Sequence, residues 1–224
     1  KYESLEMVQD GLRRAGLESS NLIVGIDFTI SNTDSGKRTF GGLSLHHIDA
    51  TGATLNPYQR VIGALGRTLE VFDDDKLIPA FGFGDSATQD KSVFSLCERL
   101  GGASDAVCAG FEQVLQCYER VLQSGIKMAG PTSFAPLIDK AIDIVQRTKQ
   151  YHILVIIADG QVTNVDTTAQ AVIRATNYPL SIIMVGVGDG PWGAMEKFDD
   201  ELPQRRFDNF QFVNFTSGQL APNF

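Results

Sequence analysis

The sequence contains no run of 18 apolar residues, and its opening, Lys1 to Glu6, lacks the apolar stretch of a secretory signal. Neither a membrane-spanning helix nor a cleaved leader is expected. Cysteine is scarce: Cys97, Cys108 and Cys117 lie 11 and 9 positions apart, spacings that match no zinc motif and leave one thiol over in any disulfide scheme. Reduced thiols and a cytoplasmic location are the expectation. Basic residues never cluster beyond Arg205-Arg206, and 27 acidic residues against 19 basic ones set a net charge of −8. That balance speaks against nucleic acid and against direct binding to an anionic membrane. A dinucleotide fingerprint is missing as well, because Gly186-Val187-Gly188-Asp189-Gly190 lacks the G-x-G-x-x-G spacing. The histidines number three, and none has a Cys or an acid at ligand spacing.

What is present fits one large α/β domain over residues 1–224, since 43% apolar residues and a mean hydropathy near zero belong to ordinary globular chains. A start at Lys rather than Met reads as a fragment of a longer protein. Strand and helix signals then alternate. Residues 1–16 form a leading amphipathic helix, with Leu5, Val8, Leu12 and Ala15 at helical spacing, Ser4 as a cap and Gly16 as a stop. Buried strands are expected at Leu22–Asp27, Leu77–Phe83, Tyr151–Ala158 and Leu180–Val187, with a half-exposed strand at Phe210–Phe215. Pro79 sits awkwardly inside the second of these. Helices are expected at Pro57–Phe72, Asp105–Leu122, Phe134–Arg147 and Thr167–Thr176, and after Pro191-Trp192, with Asp189 as a cap. Thr39–Ile48 reads as an exposed edge strand carrying His46 and His47, and Ser86–Gly102 as irregular. Such an order implies a doubly wound, mostly parallel sheet with helices on both faces, a Rossmann-like three-layer α/β/α fold.

The chemistry concentrates at one stretch, Leu22-Ile23-Val24-Gly25-Ile26-Asp27-Phe28-Thr29-Ile30-Ser31. An apolar run discharges into Asp27, and a hydroxyl follows at every second position, Thr29 and Ser31. Three hard oxygen donors in five residues suit a small divalent cation. Asp85 and Asp159 end later strands in the same way, and Thr132 lies on a Gly-Pro-Thr loop that reaches the same rim. In a parallel sheet those carboxyl ends converge. Taken alone, Asp159-Gly160 and Asp189-Gly190 are ordinary turns.

Asp27-Phe28-Thr29-Ile30-Ser31 resembles the D-x-(S/T)-x-S motif of von Willebrand factor A (vWA) domains, the metal-ion-dependent adhesion site (MIDAS). Gly130-Pro131-Thr132 and Ile157-Ala158-Asp159-Gly160 resemble its second and third elements. Longer strings, among them Asn21–Thr29, Asn56-Pro57-Tyr58, Phe81–Asp85, Gly130–Pro136, Val185–Trp192 and Phe207–Val213, resemble the A domain of copines, and plant RING-type ubiquitin ligases carry a similar domain. The resemblance implies one Mg2+ or Mn2+ ion, with Thr29, Ser31 and Thr132 as hydroxyl ligands and Asp27 and Asp159 binding directly or through water. A cation held this way keeps an open position for an Asp or Glu of a partner protein. The implied function is protein–protein interaction without catalysis. It belongs to a copine-like protein recruited to membranes through calcium-dependent C2 domains outside this chain, or, as an alternative, to a substrate-recruiting domain of a RING-type ligase.

A rival reading is an aspartyl phosphotransferase of the haloacid dehalogenase type, with Asp27 as nucleophile, Thr132 as phosphate contact and Asp159 as metal ligand. Those enzymes need an acid two residues after the nucleophile, and this chain has Thr29 there.

Overall fold

The core of the molecule is the strand β1 (Asn21–Asp27), every residue of which after Asn21 is buried. A computed structural model describes residues 5–14, 20–73, 75–102, 107–160, 162–202 and 205–218. Along the chain the elements are α1 (Leu5–Arg14), β1, α2 (Pro57–Leu69), β2 (Leu77–Ile78), β3 (Ala80–Phe83), β4 (Phe94–Ser95), α3 (Leu96–Arg99), β5 (Cys108–Ala109), α4 (Gly110–Gln123), α5 (Ala135–Thr148), β6 (His152–Ala158), α6 (Val165–Ala175), β7 (Leu180–Gly186), α7 (Gly193–Asp200), β8 (Phe210–Asn214) and α8 (Phe215–Gly218). Six strands form one sheet in the order β4-β3-β1-β6-β7-β8. All neighbours are parallel except the β3–β4 pair. The fold is thus the mostly parallel three-layer α/β/α arrangement that the alternation of signals implies.

Side-chain alternation sorts the central strands between two cores. Leu22, Val24 and Ile26 of β1, with Ile153, Val155 and Ile157 of β6, face α2 and α4. Ile23 of β1, with Leu154, Ile156 and Ala158 of β6, faces α5, α6 and α7. Gly25 lets α5 settle close, since a Cβ there would lie 2.1 Å from Leu137 Cδ2. The start of α2 is closed by a reciprocal capping box: Asn56 Oδ1 accepts from Gln59 N at 2.9 Å, and Gln59 Oε1 accepts from Asn56 N at 2.8 Å. Pro57 occupies the first turn, as expected.

Four expectations are corrected. Pro79 splits the strand expected over Leu77–Phe83: β2 leaves to pair with β5 as a separate antiparallel ribbon, and β3 alone joins the sheet. Pro79 has no N–H for a ladder, although its carbonyl still accepts from Val24 N at 3.0 Å. The stretch Thr39–Ile48 is a chain of turns rather than an edge strand. Gly41 and Gly42 take φ values of +62° and +80°, and the Gly36 carbonyl accepts from both Phe40 N and Gly42 N. The helix expected from Asp105 begins only at Gly110, whose φ of +74° turns the chain out of β5. Asp105 itself, like Ser4, Ala15 and Gly16, lies outside the described residues. Finally, Asp189 caps no helix. Its carboxylate accepts from Arg38 N, Thr39 N and Thr39 Oγ1, pinning the 36–39 turn to the end of β7.

Candidate metal centre

From β1 the chain runs to β3 on one side and later returns on the other to β6, β7 and β8. The carboxyl ends of β1 and β6 therefore flank the point where the strand order reverses, the crevice in which open α/β sheets place ligands. Asp27 is the last residue of β1, and Asp159 follows the last residue of β6. Both are fully buried. Asp27 Oδ1 accepts from Thr29 N at 2.8 Å, which bends the chain sharply after the strand. A 3-10 turn at Ile30–Thr33 follows, bringing Thr29 Oγ1 and Ser31 Oγ to 3.0 Å from each other.

The loop carrying Thr132 is held against this turn through its backbone. Ile30 N donates to Ala129 O, and Ala129 N donates to Gly84 O at the end of β3. On its other side Thr163 N donates to Thr132 O at 3.0 Å, and Thr132 N donates to Thr163 Oγ1 at 3.2 Å. Thr132 is thus fastened between the β1 turn and the segment that follows Asp159, and it is 95% buried.

Asp85 behaves differently. Oδ1 accepts from Thr88 N and Thr88 Oγ1, while Oδ2 accepts from Arg99 Nη1 at 2.8 Å. Burial acts to raise its pKa, but these hydrogen bonds and the Arg99 charge hold it below the usual value. Its oxygens are engaged in structure, which separates it from Asp27 despite the matching strand-end position.

Sequence patterns missed several supporting residues. Ser35 Oγ donates to Asp159 Oδ2 at 2.8 Å. Asn32 Nδ2 donates to Thr29 O at 3.1 Å, and Tyr58 Oη donates to Asn32 Oδ1 at 2.6 Å. His46, expected on an edge strand, is buried beneath Asp27, stacked between Phe28 and Tyr58 with ring centroids at 5.1 and 4.2 Å. The polar run Ser31–Arg38 was the one available signal, and it does not single out Ser35. His152 is buried at the start of β6, with Nδ1 bonded to Gln150 O at 3.0 Å.

The electrostatics of the centre are unbalanced. Burial, and after it the neighbouring charge of Asp159, push the Asp27 pKa well up. Asp27 Oδ2 has no hydrogen-bond partner among the described residues. A buried carboxylate oxygen in that state is costly, and a cation placed between the two carboxylates removes the cost. Two acids and two hydroxyls in contact, with Thr132 on the loop bonded to the segment after Asp159, offer only oxygen donors, which suit a hard divalent ion.

Comparison with known proteins shows the family and the fold. The family model described as Copine matches residues 44–222. The chain belongs to the copine family. It is 54% identical over 228 residues to the E3 ubiquitin-protein ligase RGLG5 of Arabidopsis thaliana, covering 96% of this chain and 51% of that protein. It is 52% identical over 223 residues to Copine family protein 2 of Caenorhabditis elegans, covering 99% of this chain and 3% of that protein. This copine domain thus spans about half, or far less, of the length of these relatives. Among solved structures it shares its fold with vWA proteins. The manganese-loaded TRAP protein of Plasmodium vivax superposes with a TM-score of 0.52 at 12% identity, covering 90% of this chain and 71% of that one. Proximal thread matrix protein 1 of the mussel byssus, in a form with a zinc-occupied MIDAS motif, superposes with a TM-score of 0.51 at 10% identity, covering 89% and 44%. The copine domain accordingly has the vWA fold.

Proposed function

We propose that this copine vWA domain is a metal-dependent protein-interaction module. One Mg2+ or Mn2+ is held by Asp27, Thr29, Ser31, Thr132 and Asp159, and an Asp or Glu of a partner protein completes its coordination. The observation that carries this reading is the buried Asp27 Oδ2, without a hydrogen-bond partner among the described residues, close enough to the buried Asp159 to feel its charge. The manganese and zinc named for the two structural neighbours support a divalent ion at this place in the fold. Ile30, 56% exposed beside Ser31, offers apolar contact area next to the ion. With a net charge of −8 the surface as a whole repels acidic partners, so the attraction would be confined to the ion and its rim.

The domain recruits and does not turn over substrate. A covalent route through Asp27 would need a proton donor two residues on, where Thr29 stands, and copine membership gives the phosphotransferase reading no support. Identity above 50% to ligases over nearly the whole chain favours a second setting for the same site, a substrate-recruiting domain of a RING-type ubiquitin ligase. In either setting the three unbridged cysteines favour a reducing, cytoplasmic environment, with any membrane recruitment supplied by the rest of the protein.

The test is calorimetric titration of metal-stripped protein with Mg2+ and Mn2+, beside an Asp27→Ala, Ser31→Ala double variant shown by circular dichroism to be folded. Saturable one-site binding that disappears in the variant is expected. Absence of binding in the unaltered protein, or equal binding in the variant, overturns the reading.

A further inference from the structure

The cysteines, uninformative by spacing, form the strongest cluster outside the vWA site. Cys97 comes from α3, Cys108 from β5 and Cys117 from α4, three elements that meet on the α2/α4 face of the sheet. Cys97 Sγ lies 3.3 Å from Cys108 Sγ and 3.6 Å from Cys117 Sγ, and all three sulfurs fall within 4.8 Å of one another. A single buried cysteine is an ordinary small core residue. Three from separate elements, with their sulfurs converging on one point, make a ligand set.

We propose that Cys97, Cys108 and Cys117 form a three-coordinate thiolate site for a soft monovalent cation, Cu(I). Sulfurs bonded at about 2.3 Å to a common metal in a plane stand about 4 Å apart, so the observed separations close around an ion with small side-chain shifts. All three donors are sulfur, which selects soft cations over Mg2+, Mn2+ or Ca2+. No His, Asp or Glu joins the group among the described residues. Structural zinc takes four ligands, whereas three thiolates satisfy Cu(I).

Binding is an exchange of protons for metal. Burial first, and the neighbouring sulfurs after it, raise the Cys108 and Cys117 thiols, so these two are protonated in the empty cluster. Each Cu–S bond made by a thiolate then sends one proton to solvent, with no change in oxidation state. Arg120 lies close enough to favour the Cys117 thiolate and offsets part of the charge left behind. Cys97 at 9% and Cys117 at 6% exposure leave a narrow approach, while Cys108 is fully enclosed.

The experiment is an anaerobic titration of the reduced 224-residue chain with Cu(I) presented as its bicinchoninate complex. One equivalent is expected to transfer, with sulfur-to-copper charge-transfer absorption in the near ultraviolet. Cys108→Ser should weaken transfer by at least about 100-fold, the upper end of what loss of an outer-shell partner costs a metal site. Cys97→Ser, at the rim of the cluster, should do the same and serves where Cys108→Ser does not fold. Mg2+ and Mn2+ titrations of either variant should match the unaltered chain. Failure of the chain to take copper from the chelator, equal transfer to both variants, or a preference for Zn2+ over Cu(I) overturns the proposal. So does mild oxidation that bridges Cys97 to Cys108 in a reduced protein that takes up no copper.

Discussion

His46 Nε2 lies 2.8 Å from the main-chain carbonyl of Asp27, and because a carbonyl only accepts, the imidazole donates there. Nδ1 then accepts from Tyr118 Oη at 2.8 Å, and Tyr118 Oη accepts in turn from Asn56 Nδ2 at 3.2 Å. The end of β1 is thereby tied to α4 and to the cap of α2 through one neutral histidine.

That tie sets a pH dependence. Burial holds the His46 pKa at about 3 against an ordinary 6.5, so below pH 6.5 the unfolded chain binds a proton that the native state refuses. The contribution of His46 to stability is complete above that pH and is lost as pH falls, by up to about 1.4 kcal/mol per pH unit. Asp27, raised by burial and by Asp159, works in the opposite direction, because the metal-free native state keeps a proton that the unfolded chain releases above about 3.8. His46→Gln should cost about 1–3 kcal/mol at neutral pH through lost hydrogen bonds and stacking. The deficit should shrink as pH falls below 6.5 towards the native His46 value. Urea melts of both proteins across that range read the difference, and a deficit independent of pH would contradict the neutral, buried assignment.

Asp27→Asn should separate stability from function. Removing a carboxylate whose charged form is disfavoured by burial and by Asp159 should stabilise the metal-free protein at neutral pH by about 1–3 kcal/mol. The same change should abolish the rise in melting temperature caused by Mg2+ or Mn2+. Thermal melts with and without metal test both halves.

Gly84→Ala should act on the site from outside it. Gly84 has a φ of +83°, and a Cβ there would lie 2.2 Å from Thr29 Cγ2. Backbone strain costs about 1–2 kcal/mol, and the displaced Thr29 hydroxyl should lower metal affinity while the fold persists. Calorimetry beside circular dichroism distinguishes this from general unfolding, and unaltered affinity would place Thr29 outside the coordination.

Arg99→Ala should do the reverse. Arg99 pairs with the fully buried Asp85, and its own side chain is 28% exposed. Loss of the pair should cost about 2 kcal/mol, partly screened on the Arg99 side, and metal binding should be unaffected. Because the Asp85 pKa is held low in the native state, this contribution is complete above the ordinary carboxylate value and is lost as pH falls from there through the lowered native one. Denaturant melts at neutral and acidic pH, with a metal titration at neutral pH, check each part.

The layered α/β/α fold was legible because it rests on local patterns. The apolar run into Asp27, the run Ile153–Ala158 into Asp159 and the helical stripes of α2 and α5 are read from neighbours in the chain, and burial on both faces demands them. Thr29 and Ser31 announced themselves by alternation beside Asp27. Tertiary structure alone decided how each strand-end acid is engaged. Asp27 and Asp85 end strands in the same way, yet Thr88 and Arg99 engage Asp85 while Asp27 keeps an oxygen without a hydrogen-bond partner among the described residues. It also decided that Thr39–Ile48 folds into turns that bury His46, and that three cysteines 11 and 9 residues apart touch. Periodicity reports what a residue does for its own segment. The partners of a buried polar or sulfur atom come from other segments, and only packing brings them together.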